Sequence, residues 1–251
     1  MFESDSLENK NFFASKKQQL FILLFGIFLT NAIVAEIIGV KIFSIENTLG
    51  YPSAQLQTFW GIWDFNQTAG ALNWPFVFLT SDIINEYFGK KGVKRISYYT
   101  AGFIGYSFLI IYLATLLTPA SFWLEINKGD NNFDINLAFS KIFRQGLGII
   151  IGSLTAFLVS QILDATVFQW LKSKTEGKKL WLRATGSTLI SQLFDSFIVI
   201  GIAFVVFGNW TLEQWFSTSL NNYLYKFLVA ILLTPVIYFL HKIIDKYLIV
   251  K

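Results

Sequence analysis

Asn73 to Arg95 reads NWPFVFLTSDIINEYFGKKGVKR. An apolar lead runs through two carboxylates, Asp82 and Glu86, into a basic cluster of Lys90, Lys91, Lys94 and Arg95. The two carboxylates are four residues apart, so on a helix they share a face. The stretch is otherwise apolar enough to sit in lipid, where a carboxylate is costly and marks a site with a purpose. The basic cluster then predicts which side of the membrane the helix ends on.

Working outward, the whole chain has the same character. Of its 251 residues 54% are hydrophobic and only 14% charged, against about a quarter charged in soluble domains. A mean hydropathy of +0.52 points to an integral membrane protein. The net charge of +4 is gathered in particular loops, which argues against nucleic acid as a partner. Without cysteine, disulfides, thiolate metal sites and a cysteine nucleophile are excluded. One histidine, His241 at the end of the last apolar run, argues against an intramembrane histidine metal cluster or a Ser-His-Asp triad. No glycine-rich loop leads into Lys-Ser or Lys-Thr, so ATP is not held here in that way. The expectation is a protein that is not an enzyme and carries no cofactor.

Six runs are long enough to cross a hydrocarbon core of about 30 Å, which takes about 20 helical residues. They cover roughly 19–43, 71–89, 94–118, 146–171, 184–207 and 220–241. The fold expected is all-α and polytopic, with a transmembrane domain over 19–241 between cytoplasmic tails at 1–18 and 242–251. The N-terminal tail, the turn after the second run, the loop after the fourth and the C-terminal tail hold 15 of the 20 Lys and Arg residues. The alternate segments hold 3, and Lys41 and Lys226 fall in helices, so both termini are predicted cytoplasmic. Trp60, Trp63, Phe65, Phe122 and Trp123 fall in the outer segments 45–70 and 119–145, as an interfacial belt or a lid would require.

Polar residues at membrane depth are few and must face the bundle interior, a partner or water. Asn31 and Glu36 lie in the first run, and Asp82, Asn85 and Glu86 in the second. Ser160-Gln161-Ile162-Leu163-Asp164-Ala165 in the fourth is echoed by Ser191-Gln192-Leu193-Phe194-Asp195-Ser196 in the fifth. In each, amide and carboxylate are three apart and share a helix face. An amide beside a carboxylate supplies donors and acceptors together, which suits a flat polar solute such as a nucleobase, and aromatic residues can stack on it. Hydrogen bonds that hold helices together would use the same residues. Asp82 or Glu86 could carry a proton, Glu86 could instead pair with Lys90 or Arg95, and Lys226 could snorkel or neutralise a carboxylate. Gly102, Gly105, Gly148, Gly152, Gly186 and Gly201 would allow close helix approach.

WPFVFLTSDIINEYFGKKGVKR together with ISQLFDSFIVIGIAF resembles the queuosine precursor transporter family, also called the vitamin uptake transporter family. Asn31, Ala35 and Lys41-Ile42 are similar to the family's first helix, and the likeness spans about residues 20–240. The resemblance implies a bacterial cytoplasmic (inner) membrane protein that takes up deazaguanine precursors of a tRNA nucleoside. It implies solute-binding roles for Asp82, Asn85 and Glu86 in the second helix and for Gln192 and Asp195 in the fifth. It is also similar to the substrate subunits of energy-coupling-factor transporters, which leaves open an ATPase module or a homo-oligomer as partner beside the lipid bilayer and the purine-like base.

Overall fold

The computed structural model describes residues 15–58, 61–128, 133–144 and 146–249. Most of the expected N-terminal tail, Trp60 and the last two residues lie outside these. Helix α1 (Lys16–Ile38) begins where the Ser15 hydroxyl accepts from the Gln18 backbone N–H at 3.2 Å. Leu20, Leu24, Phe28, Ala32 and Ala35 recur at helical spacing on its buried face, while Ile22, Leu23 and Ile27 stay exposed on the other. An outer face this apolar suits lipid.

The helix ends at Ile38, short of the expected residue 43, so Lys41 lies in a turn. Segment 45–70 is not a plain loop. Strand β1 (Ile42–Ser44) pairs with β4 (Asn66–Thr68), and β2 (Leu56–Thr58) with β3 (Gly61–Trp63), around a single helical turn α2 (Ile45–Thr48). Glu46 ties this cap together. It accepts the Phe65 backbone N–H at 2.9 Å, the Ala54 N–H at 3.3 Å and the Ser44 hydroxyl at 2.8 Å. These bonds, the Phe65 amide first, push its carboxyl down to about 2.

A 3₁₀ turn (Ala69–Leu72) then presses on α1: a Cβ on Gly70 would lie 2.4 Å from the Ala35 carbonyl oxygen. Helix α3 (Trp74–Thr115) follows, with Pro75 in its first turn, where no intrahelical N–H is needed. It is broken at Gly89, whose φ of 71° and ψ of 178° leave the helical region and favour glycine. Gly70 lies against Ala35 and Phe88 against Phe21, so the first arm runs antiparallel to α1. Tyr99 meets Phe25, and Ile104 and Ile111 sit beside Ile33 and Ile37, so the second arm runs parallel to it. The two arms therefore double back on each other along α1. Lys90, Lys91, Lys94 and Arg95, expected in a turn, begin the second arm instead.

Short helices α4 (Ser121–Asn127) and α5 (Ile135–Phe143) fill the segment after α3. Arg144 reaches back from there to the Thr115 hydroxyl at 2.9 Å, clamping the end of α3. Helices α6 (Leu147–Lys174), α7 (Leu180–Ile200) and α8 (Leu212–Ile249) complete the bundle. Between α7 and α8 the helix widens to a π-helical segment, Gly201–Val206, beside the Trp215 indole, which donates to the Phe197 carbonyl at 2.9 Å. Helix α8 extends past both ends of the expected run, taking in much of what was read as the C-terminal tail.

Among the described residues five helices are long and apolar enough to cross a membrane, with the arms of α3 counted together. Phe28, Phe157, Phe168, Ile84 and Ile96 fill the centre, and the Phe28 and Phe157 rings lie 6.0 Å apart. Glycine permits close approach at Gly152, where a Cβ would lie 3.0 Å from the Val199 carbonyl oxygen, but Gly102 and Gly105 meet no neighbour.

Candidate functional site

The first arm of α3, α6 and α7 turn polar faces toward one another. Thr80, Ser81, Asp82 and Asn85 are buried on α3, Ser160, Gln161 and Asp164 on α6, and Ser187, Thr188, Ser191 and Gln192 on α7. Steps of three or four residues link Ser81 and Asp82 to Asn85, Gln161 to Asp164, and Ser187 and Thr188 to Ser191 and Gln192, so each helix carries polar groups down one side.

Beside this core, α3, α7 and α8 line a partly open cavity of about 50 Å³. Trp74 and Phe78 form an aromatic wall, their rings stacked with centroids 5.9 Å apart. Asp82, Thr188 and Gln192 supply polar groups, and Tyr225, Lys226 and Thr234 line the α8 side. Asp82 is 5% and Gln192 1% exposed, yet Asp82 Oδ1 and both polar atoms of the Gln192 amide have no hydrogen-bond partner. Buried polar atoms are normally paired, so these three point to a missing partner.

The expected site residues divide into three groups. Asp82 and Gln192 reach the cavity. Asp164 stands behind it: the Thr188 hydroxyl lies 3.5 Å from Asp82 Oδ2 and 3.4 Å from Asp164 Oδ1, and Ser191 donates to Asp164 at 3.2 Å. The remaining residues are held elsewhere. Gln161 accepts from Ser81 at 2.7 Å. Asp195 pairs with Lys226 at 2.5 Å, so Lys226 neutralises a carboxylate while lining the cavity. Asn85 donates to the Ala165 carbonyl at 3.3 Å and accepts from Gln169 at 2.7 Å, stapling α3 to α6. Glu36 accepts the Ser153 hydroxyl, and Asn31 donates to the Ile27 carbonyl of its own helix at 2.9 Å. The two Ser-Gln motifs are thus not equivalent: the Gln161 amide is held through its oxygen while neither polar atom of the Gln192 amide is bonded, and one carboxylate sits among hydroxyls while the other meets an ammonium.

Glu86 pairs with neither Lys90 nor Arg95. Arg183 clasps both its oxygens at 3.0 Å, and Lys172 joins at 2.9 Å. Two cations counted as loop charges are therefore drawn inward. This layer lies one turn beyond Asp82 on α3 and immediately before Ala184 on α7, closing the cavity's deep end. His241 belongs to the same end: its Nδ1 lies 2.9 Å from the Tyr87 hydroxyl, which donates to Asp245 at 2.6 Å. Thr188 and Arg183 were not singled out in the sequence. A threonine in an apolar helix carries no signal, but the uncompensated Glu86 could have called for an arginine. Among the described residues no group of three His, Asp or Glu is placed to hold a metal.

A family profile described as "Putative vitamin uptake transporter" matches residues 68–240. Among curated proteins, the chain is 30% identical over 178 residues to a "Probable queuosine precursor transporter" of Bacillus subtilis, covering 70% of this chain and 72% of that one. It is 27% identical to a protein of the same description from Haemophilus influenzae, covering 67% and 66%. It is 29% identical to the "Queuosine precursor transporter" of Escherichia coli, covering 66% and 69%. No solved structure matches. The chain belongs to the vitamin uptake transporter family, a family of transporters rather than enzymes, and is a multi-pass protein of the bacterial cytoplasmic membrane.

Proposed function

Proceeding from that membership, we propose that this chain imports a planar purine-like solute, a deazaguanine precursor of queuosine, through the cavity between α3, α7 and α8. The relatives' names support the solute class. The observation that carries the reading is the coincidence of an unpartnered carboxylate oxygen and an unpartnered amide with the Trp74–Phe78 wall. A base edge presents N–H groups and a carbonyl, and its face stacks; Asp82, Gln192 and the aromatic pair answer these in turn.

In this reading the chain crosses the membrane six times, the two arms of α3 counting separately, with both termini cytoplasmic. The doubling back of the arms at Gly89 and the distribution of Lys and Arg support it. The Glu86–Arg183–Lys172 layer then lies on the cytoplasmic side of the cavity and the mouth, near Ala71 and Tyr225, on the outer side. Import requires that layer to part while the mouth closes, as in alternating access around a central site.

Thermal unfolding of the purified protein with a panel of deazapurines and purines tests the solute reading. A base-selective rise in Tm of several degrees, lost in Gln192→Ala, is expected. A rise of equal size in that variant would remove Gln192 from the site, and no rise with any base would reject the solute class.

A further inference from the structure

We propose that Lys17, Lys91 and Arg95 form a headgroup site for an anionic phospholipid, at the elbow where α3 doubles back beside the start of α1. This goes beyond the transport reading, because the site shares no residue with the solute cavity. Only the leaflet it faces, the cytoplasmic one, follows from the proposed orientation.

An open cavity of about 600 Å³ lies between the first turns of α1 and the start of the second arm of α3, with room for a phosphate and its glycerol. Lys17 lines it from α1, and Lys91 and Arg95 line it from α3. Lys91 and Arg95 are four residues apart, so they stand on one face of the arm, where like charges repel. Among the described residues none of the three cations has a carboxylate oxygen within 4 Å, whereas Lys172, Arg183 and Lys226 all do. Three cations brought together from two elements without a carboxylate call for an anion. The floor beneath them is aromatic. Phe21 and Phe88 meet edge to face with centroids 4.9 Å apart, and Lys17 Nζ lies 5.6 Å from the centre of the Phe88 ring. Phe88 immediately precedes Gly89, so the cavity sits on the break in α3.

The surroundings select a lipid as the source of that anion. Ile22, which lines the cavity, is exposed and continues into the apolar outer face of α1. A phospholipid lays its chains along this face while its phosphodiester rests among the cations. Arg95 can take two phosphate oxygens together, and the lysines add point charges. A free phosphate would meet the cations but leave the apolar rim uncovered. A zwitterionic headgroup would bring a fourth cation to the other three. Basic pockets beside transmembrane helices on the cytoplasmic side hold anionic headgroups in this way. The lipid would tie the start of α1 to the second arm of α3 across the kink.

The test uses native mass spectrometry of the full-length protein in neutral detergent, titrated with dioleoylphosphatidylglycerol or dioleoylphosphatidylcholine, which differ only in the headgroup. The anionic lipid is expected to bind at least about tenfold more tightly. In the triple variant Lys17→Gln, Lys91→Gln, Arg95→Gln that preference should shrink to within about threefold, with phosphatidylcholine binding unchanged. A second triple variant, Lys174→Gln, Lys178→Gln, Lys246→Gln, removes as much charge from exposed positions of the same proposed face and should keep the preference. Equal binding of the two lipids to the native protein would overturn the proposal. An equal loss in both triple variants would also overturn it, since the attraction would then be diffuse. Displacement of the lipid by an equal concentration of glycerol 3-phosphate, which has no chains, would give the site to a soluble phosphate instead. A preference that emerges only when Glu3, Asp5 and Glu8 are replaced by glutamine would give it to the chain's own acidic N-terminal segment. The solute reading, which is tested with bases, stands or falls separately from each of these outcomes.

Discussion

At the residue scale, burial decides which charges matter. Lys226 and Asp195 have side chains 12% and 15% exposed, so each is the other's substitute for water. Removing one member of such a pair leaves a stranded charge, which costs about 3–5 kcal/mol, whereas replacing both with uncharged groups of similar size costs far less. Lys226→Met should therefore lower Tm sharply, and Lys226→Met combined with Asp195→Asn should recover most of the loss. Additive losses in the double variant, read by thermal unfolding, would show that the pair is not coupled. Glu46 makes the contrasting case, because it is only half-buried and its bonds run largely to backbone amides. Its folded carboxyl titrates below the unfolded one, so the stability it lends the β-cap is present above the ordinary glutamate range and is lost as pH falls toward about 2. Amide exchange at Phe65, corrected for its intrinsic pH dependence, should lose protection progressively as pH falls from about 4.5 toward about 2 in the native protein. Glu46→Gln should flatten that dependence, and an unchanged slope would reject the role.

At the element scale, the layer joining α3, α6 and α7 is the feature that a transport cycle would have to break. Arg183, Lys172 and Glu86 come from three different helices and meet directly beyond the cavity floor. The absence of native cysteine makes this region easy to probe. Thr185→Cys places a single thiol on the cavity wall. An impermeant thiol reagent applied from the proposed cytoplasmic side should react with it slowly. Adding Glu86→Gln should raise that rate about tenfold, because a loss of about 1.4 kcal/mol from the closed state shifts the populations by that factor. A rate unchanged by Glu86→Gln would mean that the ion pairs fasten the helices without gating them. Helix α8 is a natural moving part. Of its 38 residues only Ser219, Ile237, His241 and Ile244 are buried, and Pro235 interrupts its hydrogen bonding beside the cavity.

At the scale of the whole molecule, composition and a few buried polar residues made the membrane class and the polar interior legible. Asp82, Gln192 and Asp164 stood out because carboxylates and amides are costly in lipid. The partners were not legible. Glu86 meets Arg183 across 97 residues and Asn85 meets Gln169 across 84, and no local pattern encodes such distances. The β-cap was missed because its strands are three residues each, too short for an alternating pattern to register. The ends of α8 were missed because its first and last turns mix polar with apolar residues, so a hydropathy window stops before the helix does. Membrane orientation rests on charge distribution, although Lys172, Arg183 and Arg144 prove to be engaged with other helices. Without those three, the proposed inner segments still carry 13 Lys and Arg residues against 2 outside, so the asymmetry survives. Helix α6 has 28 residues, roughly 42 Å at 1.5 Å per residue, enough to cross the core with some tilt. Single cysteines at Ser121 and Lys178, on either side of it, should therefore label from opposite faces, Ser121→Cys in intact cells and Lys178→Cys only when the cytoplasmic face is opened. Labelling of both from one side would place α6 within the membrane without crossing it and would undo the six-crossing topology together with the assignment of the ion-pair layer to the cytoplasmic side.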